Sequence, residues 1–332
     1  MVDRNVVESI GTYQPLERRL LGSWKLPHIA KGILTWVPAL NRYRLRRMTT
    51  GGSDSSRYCY SVWLRHLVIL SQQGFKIDGA HVGELGPGDS IGTGLSALIS
   101  GGARYVGLDV VPFSLKSNLK TIFRELVQLY TCREPIPDHV EYPRIYPRLD
   151  SYEFPNHLIS QRSIETMRTE EICRELETGL HDGRHVCYRA PWSSPKEIMA
   201  ESLDLIFSQA VLEHVDSIDE TYRAMFAWLK SGGYASHVID FSAHYLSPYW
   251  NGHWAYSDLE WKLVRGRREY LLNREPLSTH LNCAKRVGFE VVYIKKEYGS
   301  HALRVEDLSA RFRDFENEDL KTKGVMVILR KP

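Results

Sequence analysis

His81-Val82-Gly83-Glu84-Leu85-Gly86-Pro87-Gly88-Asp89-Ser90-Ile91-Gly92 is a short apolar strand that runs into a glycine-rich turn. Helical sequence resumes at about Gly94 and continues through Ile99, and Gly102-Ala103 make the next turn. Tyr105-Val106-Gly107-Leu108-Asp109 is a second apolar strand, and it ends in an acid. Strand, turn, helix and strand in this order open a parallel α/β sheet. The turn exposes backbone N–H groups at a helix N-terminus, which suits a polar or anionic cofactor fragment.

The spacing narrows the cofactor. A dinucleotide fingerprint is G-x-G-x-x-G. Gly86 and Gly88 fit it, but Ile91 holds the third position and the glycine comes one later, at Gly92. Asp109 follows about twenty residues on, where a carboxylate accepts two ribose hydroxyls. A ribose-containing cofactor is expected, and nicotinamide is disfavoured by the spacing and by Glu84 just before the turn. An NAD(P)-dependent oxidoreductase or epimerase would also want a Tyr-x-x-x-Lys pair. Tyr222 and Tyr256 are instead followed four residues later by Phe226 and Glu260.

Composition bounds the rest. The chain has 332 residues, 43% of them hydrophobic and 25% charged, enough for a sizeable core. Lys+Arg 43 against Asp+Glu 40 gives a net charge of +3, too balanced for a nucleic-acid binder. Five scattered cysteines without C-x-x-C spacing exclude a disulfide framework and a zinc ribbon, and point to a reducing cytoplasm. No secretory h-region and no run of about 18 uncharged apolar residues is visible.

The flanking segments divide the chain into residues 1–75, an N-terminal helical extension, and residues 76–332, the main domain. Within residues 16–48, apolar side chains alternate with basic ones and end in Arg42, Arg44, Arg46 and Arg47. This reads as a cap packed on the main domain, or as a basic surface in peripheral contact with a membrane. The stretch from about 111 to 183 exceeds a simple crossover and is expected to cover the C-terminal edge of the sheet. Further strands are expected at 185–188, 203–208, 234–239, 289–294 and 325–329.

The ordered set resembles the class I S-adenosylmethionine-dependent methyltransferases. It comprises Val82 to Gly88, Tyr105 to Asp109, Leu203-Asp204-Leu205-Ile206-Phe207-Ser208, Val211-Leu212-Glu213-His214-Val215 and Leu229-Lys230-Ser231-Gly232-Gly233. The resemblance implies a Rossmann-like α/β sheet of seven strands, the last antiparallel. It implies that Glu84, Gly86, Pro87 and Gly88 line the methionine part of S-adenosyl-L-methionine. Asp109 would hold the ribose and Val110 would lie against adenine. The family's acid after the third strand is missing, so adenine recognition falls to backbone near Ala190. Ser208 and Gln209 would face the sulfonium. The third reading, a non-catalytic methyltransferase-like binding module, is disfavoured by the intact Gly86, Gly88 and Asp109.

Methyl transfer from a sulfonium requires alignment, and a hydroxyl acceptor also requires a base. Asp240 and His244, at and beyond the end of the fifth strand, are expected as orienter and base, with His214 as the other candidate or a pocket floor. A metal set of His237, Asp240 and His244 is discounted because a strand period puts the first two on opposite faces, so no metal is expected. The ring-dense segment His244 to Trp261 suits a sugar or nucleoside, or forms an aromatic mini-core. Leu272-Asn273-Arg274 is similar to methyltransferases of bacterial surface-polysaccharide pathways, which implies O-methylation of a sugar, glycan or other polar small molecule.

Overall fold

The computed structural model describes residues 23–41, 52–159, 166–178, 180, 183–192, 195–268 and 270–332. Seven strands form one sheet: β1 His81–Leu85, β2 Arg104–Leu108, β3 Val186–Arg189, β4 Leu203–Gln209, β5 Leu229–Asp240, β6 Glu290–Tyr298 and β7 Thr322–Arg330. Their spatial order is β3-β2-β1-β4-β5-β7-β6. β1 pairs in parallel with β2 and β4, β2 with β3, and β4 with β5. β7 is antiparallel to both neighbours. This is the Rossmann-like class I methyltransferase architecture that the sequence resemblance implies. Leu229 to Gly233 is not a simple helix stop. It belongs to β5, entered through a register shift opposite Leu203 and Leu205.

The order reverses between β1 and β4, and a crevice opens there at the carboxyl ends of the strands. Helices cover both faces because parallel strands are apolar on both sides. On one face lie α1 Ser56–Gln72, α2 Gly92–Ile99 and α3 Leu119–Thr131, whose Trp63, Leu95 and Phe123 share a core with Val82, Leu205 and Phe207. On the other lie α4 Ile218–Trp228 and α5 Leu277–Val287, whose Met225, Trp228 and Ala284 pack on Ile206, Ala235 and Val327. Each such fully buried large side chain contributes about 1.5–3 kcal/mol.

Two expectations about the flanks change. The boundary at 75/76 falls behind α1, yet α1 belongs to the sheet core: Tyr60, Trp63, Leu64 and Leu70 are fully buried. Only the segment before it stands apart. The helix Lys25–Leu34 docks on the helix Asp258–Arg265. A Cβ on Gly32 would collide with the carbonyls of Leu263 and Val264. Lys25 Nζ donates to Ala255 O at 2.7 Å and pairs with Glu260 at 3.1 Å. This segment is therefore a cap on its own protein, although Leu26, Leu34 and Trp36 on its outer face stay exposed. Arg42, Arg44, Arg46 and Arg47 lie outside the described residues, as do residues 16–22. No helix of the described residues is long and apolar enough to cross a membrane.

The described residues of the stretch 111–183 pack largely as a further layer of the fold, and Pro112, Leu119 and Leu180 among them line a cavity beside Ala190 at the end of β3. Helix α3 continues the layer of α1 and α2, and the helix Thr166–Thr178 packs on α3 and β3. The connection between them is a belt tied down by Arg65 of α1, which has no exposed surface. Arg65 Nη1 donates to the carbonyls of Ile145 (2.9 Å) and Pro147 (2.8 Å), and Nη2 to that of Pro137 (2.9 Å). Its Nε donates to Ser61 Oγ at 3.1 Å. From the described part of the belt, the Tyr146 carbonyl accepts from Gln209 Nε2 at the end of β4, at 3.3 Å.

Arg65→Ala leaves the buried carbonyls of Ile145 and Pro147 without donors, while Pro137 O keeps Ser61 Oγ at 2.8 Å, so urea unfolding should show a loss of about 2 kcal/mol or more. Proteolysis between Arg133 and Leu158 should accelerate with it. A change below about 1 kcal/mol would show that other contacts hold the belt.

Candidate active site

The crevice is built by the ends of β1, β2, β4 and β5. Gly86 and Gly88 take φ of +61° and +76°, a region that only glycine enters at little cost. A Cβ on Gly86 would also lie 2.8 Å from Val211 Cγ1. The turn is pinned from below, since Ser90 N donates to Ser53 Oγ at 3.1 Å.

Asp109 closes the turn from β2. Its Oδ2 accepts from Gly88 N at 3.2 Å and its Oδ1 from Val110 N at 2.7 Å. The side chain is buried, and burial pushes its carboxyl up to about 6. Glu84 is 3% exposed, and burial pushes it up to about 8. Tyr105 Oη donates to Glu84 Oε2 at 2.6 Å. Sequence reasoning missed Tyr105. The signal was present in Gly94 and Gly107, since a Cβ on either would run into the Tyr105 ring or hydroxyl.

Pro87 and Gly88 are buried within the turn, and Val110 and Ala190 are partly exposed at the ends of β2 and β3. A cavity of about 500 Å³ lined by Pro112, Leu119, Leu180, Tyr188 and Ala190 opens beside them. Ser208 does not face the crevice. It has no exposed surface, and its Oγ lies 2.8 Å from His237 Nδ1 on the next strand. Gln209 is partly exposed, but its Oε1 is 3.2 Å from His66 Nε2 and its amide holds the belt. Ser208 thus braces the neighbouring strand, while Gln209 stands partly exposed at the end of β4.

His214, Asp240 and His244 do come together. The two imidazole centroids are 5.3 Å apart, and His244 Nε2 is 4.0 Å from Asp240 Oδ2. Burial lowers His214 to about 4 and lowers His244 as well. His214 Nδ1 is 2.9 Å from the carbonyl of Tyr270. A carbonyl only accepts, so Nδ1 carries the proton and Nε2 keeps its lone pair. Asn273 locks the turn that carries His214: its Nδ2 donates to Leu212 O at 2.8 Å and Val215 O at 3.1 Å. The Leu272-Asn273-Arg274 motif thus has a positioning role here.

Glu213 joins this cluster and was not among the expected site residues. It is 2% exposed, and neither carboxylate oxygen has a hydrogen-bond partner. Burial first, and then the charge of Asp240, push its carboxyl well up. Ala210, His244, Tyr270 and Arg274 all have positive φ, between 49° and 68°. Strained backbone of this kind persists where the surroundings hold it, and here it surrounds one cluster.

The ring-dense segment is a mini-core. Trp254 and Tyr256 are fully buried, Trp250 packs on Trp254 at 5.6 Å, and Trp24 meets Tyr256 edge-on at 5.2 Å. Asn251 and Asp258 are committed to Leu303 and Arg274. Of its rings, Tyr245 stands well exposed.

No family model matches the chain, and no curated protein matches it. Among solved structures, an S-adenosylmethionine dependent methyltransferase from Mesorhizobium loti aligns over 79% of this chain and 96% of its own, at 14% identity and a TM-score of 0.39. Geranyl diphosphate C-methyltransferase from Streptomyces coelicolor A3(2) aligns over 81% and 79%, at 11% identity and 0.43. Phosphoethanolamine N-methyltransferase 2 from Haemonchus contortus aligns over 81% and 53%, at 16% and 0.41. Similarity at this level carries no activity across. The fold rests on the strand order itself.

A carboxyl raised by folding keeps its proton after the unfolded chain has released it. Glu84 therefore supports folding fully below about pH 4.5, and that support is lost as pH rises toward about 8. Unfolding by urea at pH 5 and pH 8 should show the wild type losing stability along this window, by at most about 1.4 kcal/mol per pH unit. Glu84→Gln keeps an acceptor for Tyr105 without the charge, and its loss should be smaller. Equal losses in both proteins would place the titration elsewhere.

Proposed function

We propose that the protein is an S-adenosylmethionine-dependent methyltransferase acting on a hydroxyl of a polar small molecule. The observation that carries this reading is the set of acids lining the crevice. Glu84, Asp109, Glu213 and Asp240 stand at or just past the ends of β1, β2, β4 and β5. Among the described residues none of them pairs with a lysine or arginine. A dinucleotide would bring an anionic pyrophosphate against these acids, whereas a cationic guest favours their ionised forms. S-adenosylmethionine brings a sulfonium and an ammonium, both cationic. The NAD-dependent alternative is disfavoured on this ground as well as by Ile91.

In this reading Asp109 accepts the ribose hydroxyls, and the adenine lies in the cavity past Val110 and Ala190. The Gly86-Pro87-Gly88 turn and Glu84 hold the methionine part. The acceptor lies at the cluster of His214, Asp240 and His244. Its oxygen lone pair forms the new bond to the methyl carbon while the C–S pair returns to sulfur, leaving a neutral thioether. The hydroxyl proton passes to the Asp240–His244 pair. Alignment supplies most of the rate. A sugar or glycan is one acceptor class in scope. The aromatic platform that would favour it is folded into the mini-core, so recognition falls to polar groups.

Calorimetry should show S-adenosylhomocysteine binding and no NAD binding, and Asp109→Ala should weaken the former by about 2 kcal/mol or more. NAD binding without S-adenosylhomocysteine binding would overturn the reading. With a panel of hydroxylated acceptors, His244→Ala should lower turnover by about 10²–10⁴-fold and leave S-adenosylhomocysteine affinity nearly unchanged. Full turnover in both His214→Ala and His244→Ala would remove the acceptor from this cluster.

A further inference from the structure

The donor atoms of Glu213, His214 and His244 lie within 4.8 Å of one another. Two of these residues are adjacent in the turn after β4. The third comes thirty positions later, from the loop after β5, so the sequence spacing does not announce the group. We propose that these three side chains bind a divalent first-row transition-metal ion at the acceptor end of the crevice. The inference deepens the proposed function, since the ion would hold the acceptor of that same reaction.

Three observations support it. First, Glu213 is buried with neither oxygen hydrogen-bonded. A buried carboxylate left without a partner costs free energy, and a cation in the cluster removes that cost. Second, His214 is set up as ligating histidines are. Its Nδ1–H is donated to the Tyr270 carbonyl, and that bond fixes the ring and leaves Nε2 as a lone pair. Third, the charges balance: Glu213 and the neighbouring Asp240, beside His244 at 4.0 Å, together offset a divalent ion. Ligands about 2.0–2.2 Å from an ion stand roughly 3–3.5 Å apart, so the donors need to draw in by less than about 2 Å. The partly exposed His244 can make that adjustment.

Donor chemistry selects the ion. Two imidazoles and one carboxylate suit zinc, iron or manganese better than magnesium or calcium, which take oxygen donors. Three protein ligands leave coordination positions open. Those positions fit an acceptor that presents two adjacent oxygens, such as a vicinal diol or an α-hydroxy acid. The ion would fix which oxygen faces the methyl group and make its hydroxyl more acidic, and with His244 as a ligand the proton would pass to Asp240.

Metal-free full-length protein, titrated in turn with Co²⁺, Mn²⁺ and Zn²⁺, should take up one ion per chain. The Co²⁺ complex should show visible ligand-field absorption of low-symmetry nitrogen and oxygen coordination. Glu213→Gln and His244→Ala should each weaken uptake by about 100-fold or more, beyond the usual effect of outer-shell changes. His157→Ala, a change at an exposed histidine away from the cluster, should leave it unchanged. Circular dichroism of His244→Ala, whose side chain is partly exposed, checks that the fold is intact. No uptake of any of the three ions by the wild type, or equal uptake by His244→Ala, would overturn the proposal. S-adenosylhomocysteine titrated into the same metal-free protein reports on the cofactor reading separately: binding there with no metal uptake would remove the ion and keep the methyltransferase.

Discussion

Four carboxylates at the ends of adjacent strands govern this molecule. Burial opposes the charge of Glu84, Asp109 and Glu213, and the protein brings no lysine or arginine to any of the four among the described residues. Glu84 is met by one tyrosine hydroxyl and Asp109 by backbone amides. Neither oxygen of Glu213 makes a hydrogen bond of good geometry, and the backbone N–H groups of Glu213 and Asp240 near it offset its burial only in part. A fold that concentrates acid where a parallel sheet opens its crevice has prepared a place for positive charge. At the β1–β2 side the guest of the proposed function is a cationic cofactor. At the β4–β5 side the same logic admits a metal ion.

The scaffold invests in holding this arrangement still. Gly86 and Gly88 bend the backbone at the end of β1, beside Asp109. Ala210, His244, Tyr270 and Arg274 adopt left-handed conformations around the cluster of His214, Asp240 and His244. Arg65 ties the long belt to α1, and Gln209 ties its Tyr146 carbonyl to the end of β4. The belt therefore acts as a fixed wall. Asn273 and the Tyr270 carbonyl reach back from the loop after the helix Asp258–Arg265 to lock the His214 turn. Rigid support on this scale matters for a reaction whose rate depends on alignment.

Much of the fold was legible because its determinants are local. The Gly86 turn, the acid ending β2 and the apolar strands each carry their own signature, and they lead to the observed sheet. The placement of His214, Asp240 and His244 at strand ends followed from the same reasoning. What the sequence hid depends on side-chain direction or on distant contacts. Ser208 reads as a cofactor contact by position, but the pleat turns it toward His237. Helix α1 reads as an extension by its place in the chain, but Trp63 and Tyr60 make it core. Glu213 gives no sign in the sequence that its oxygens lack partners, since that depends on what 240–244 and 270–274 bring beside it.

The central claim is geometric: one crevice holds the cofactor at Asp109 and presents its sulfur to the Glu213–His214–His244 cluster. The most direct test is a crystal structure of the protein with S-adenosylhomocysteine. The account predicts the ribose hydroxyls on Asp109 and the sulfur facing the cluster, with space between for an acceptor oxygen about 3–3.5 Å from the transferred methyl. A cofactor bound elsewhere, or one whose sulfur faces away from Glu213, His214 and His244, would contradict it.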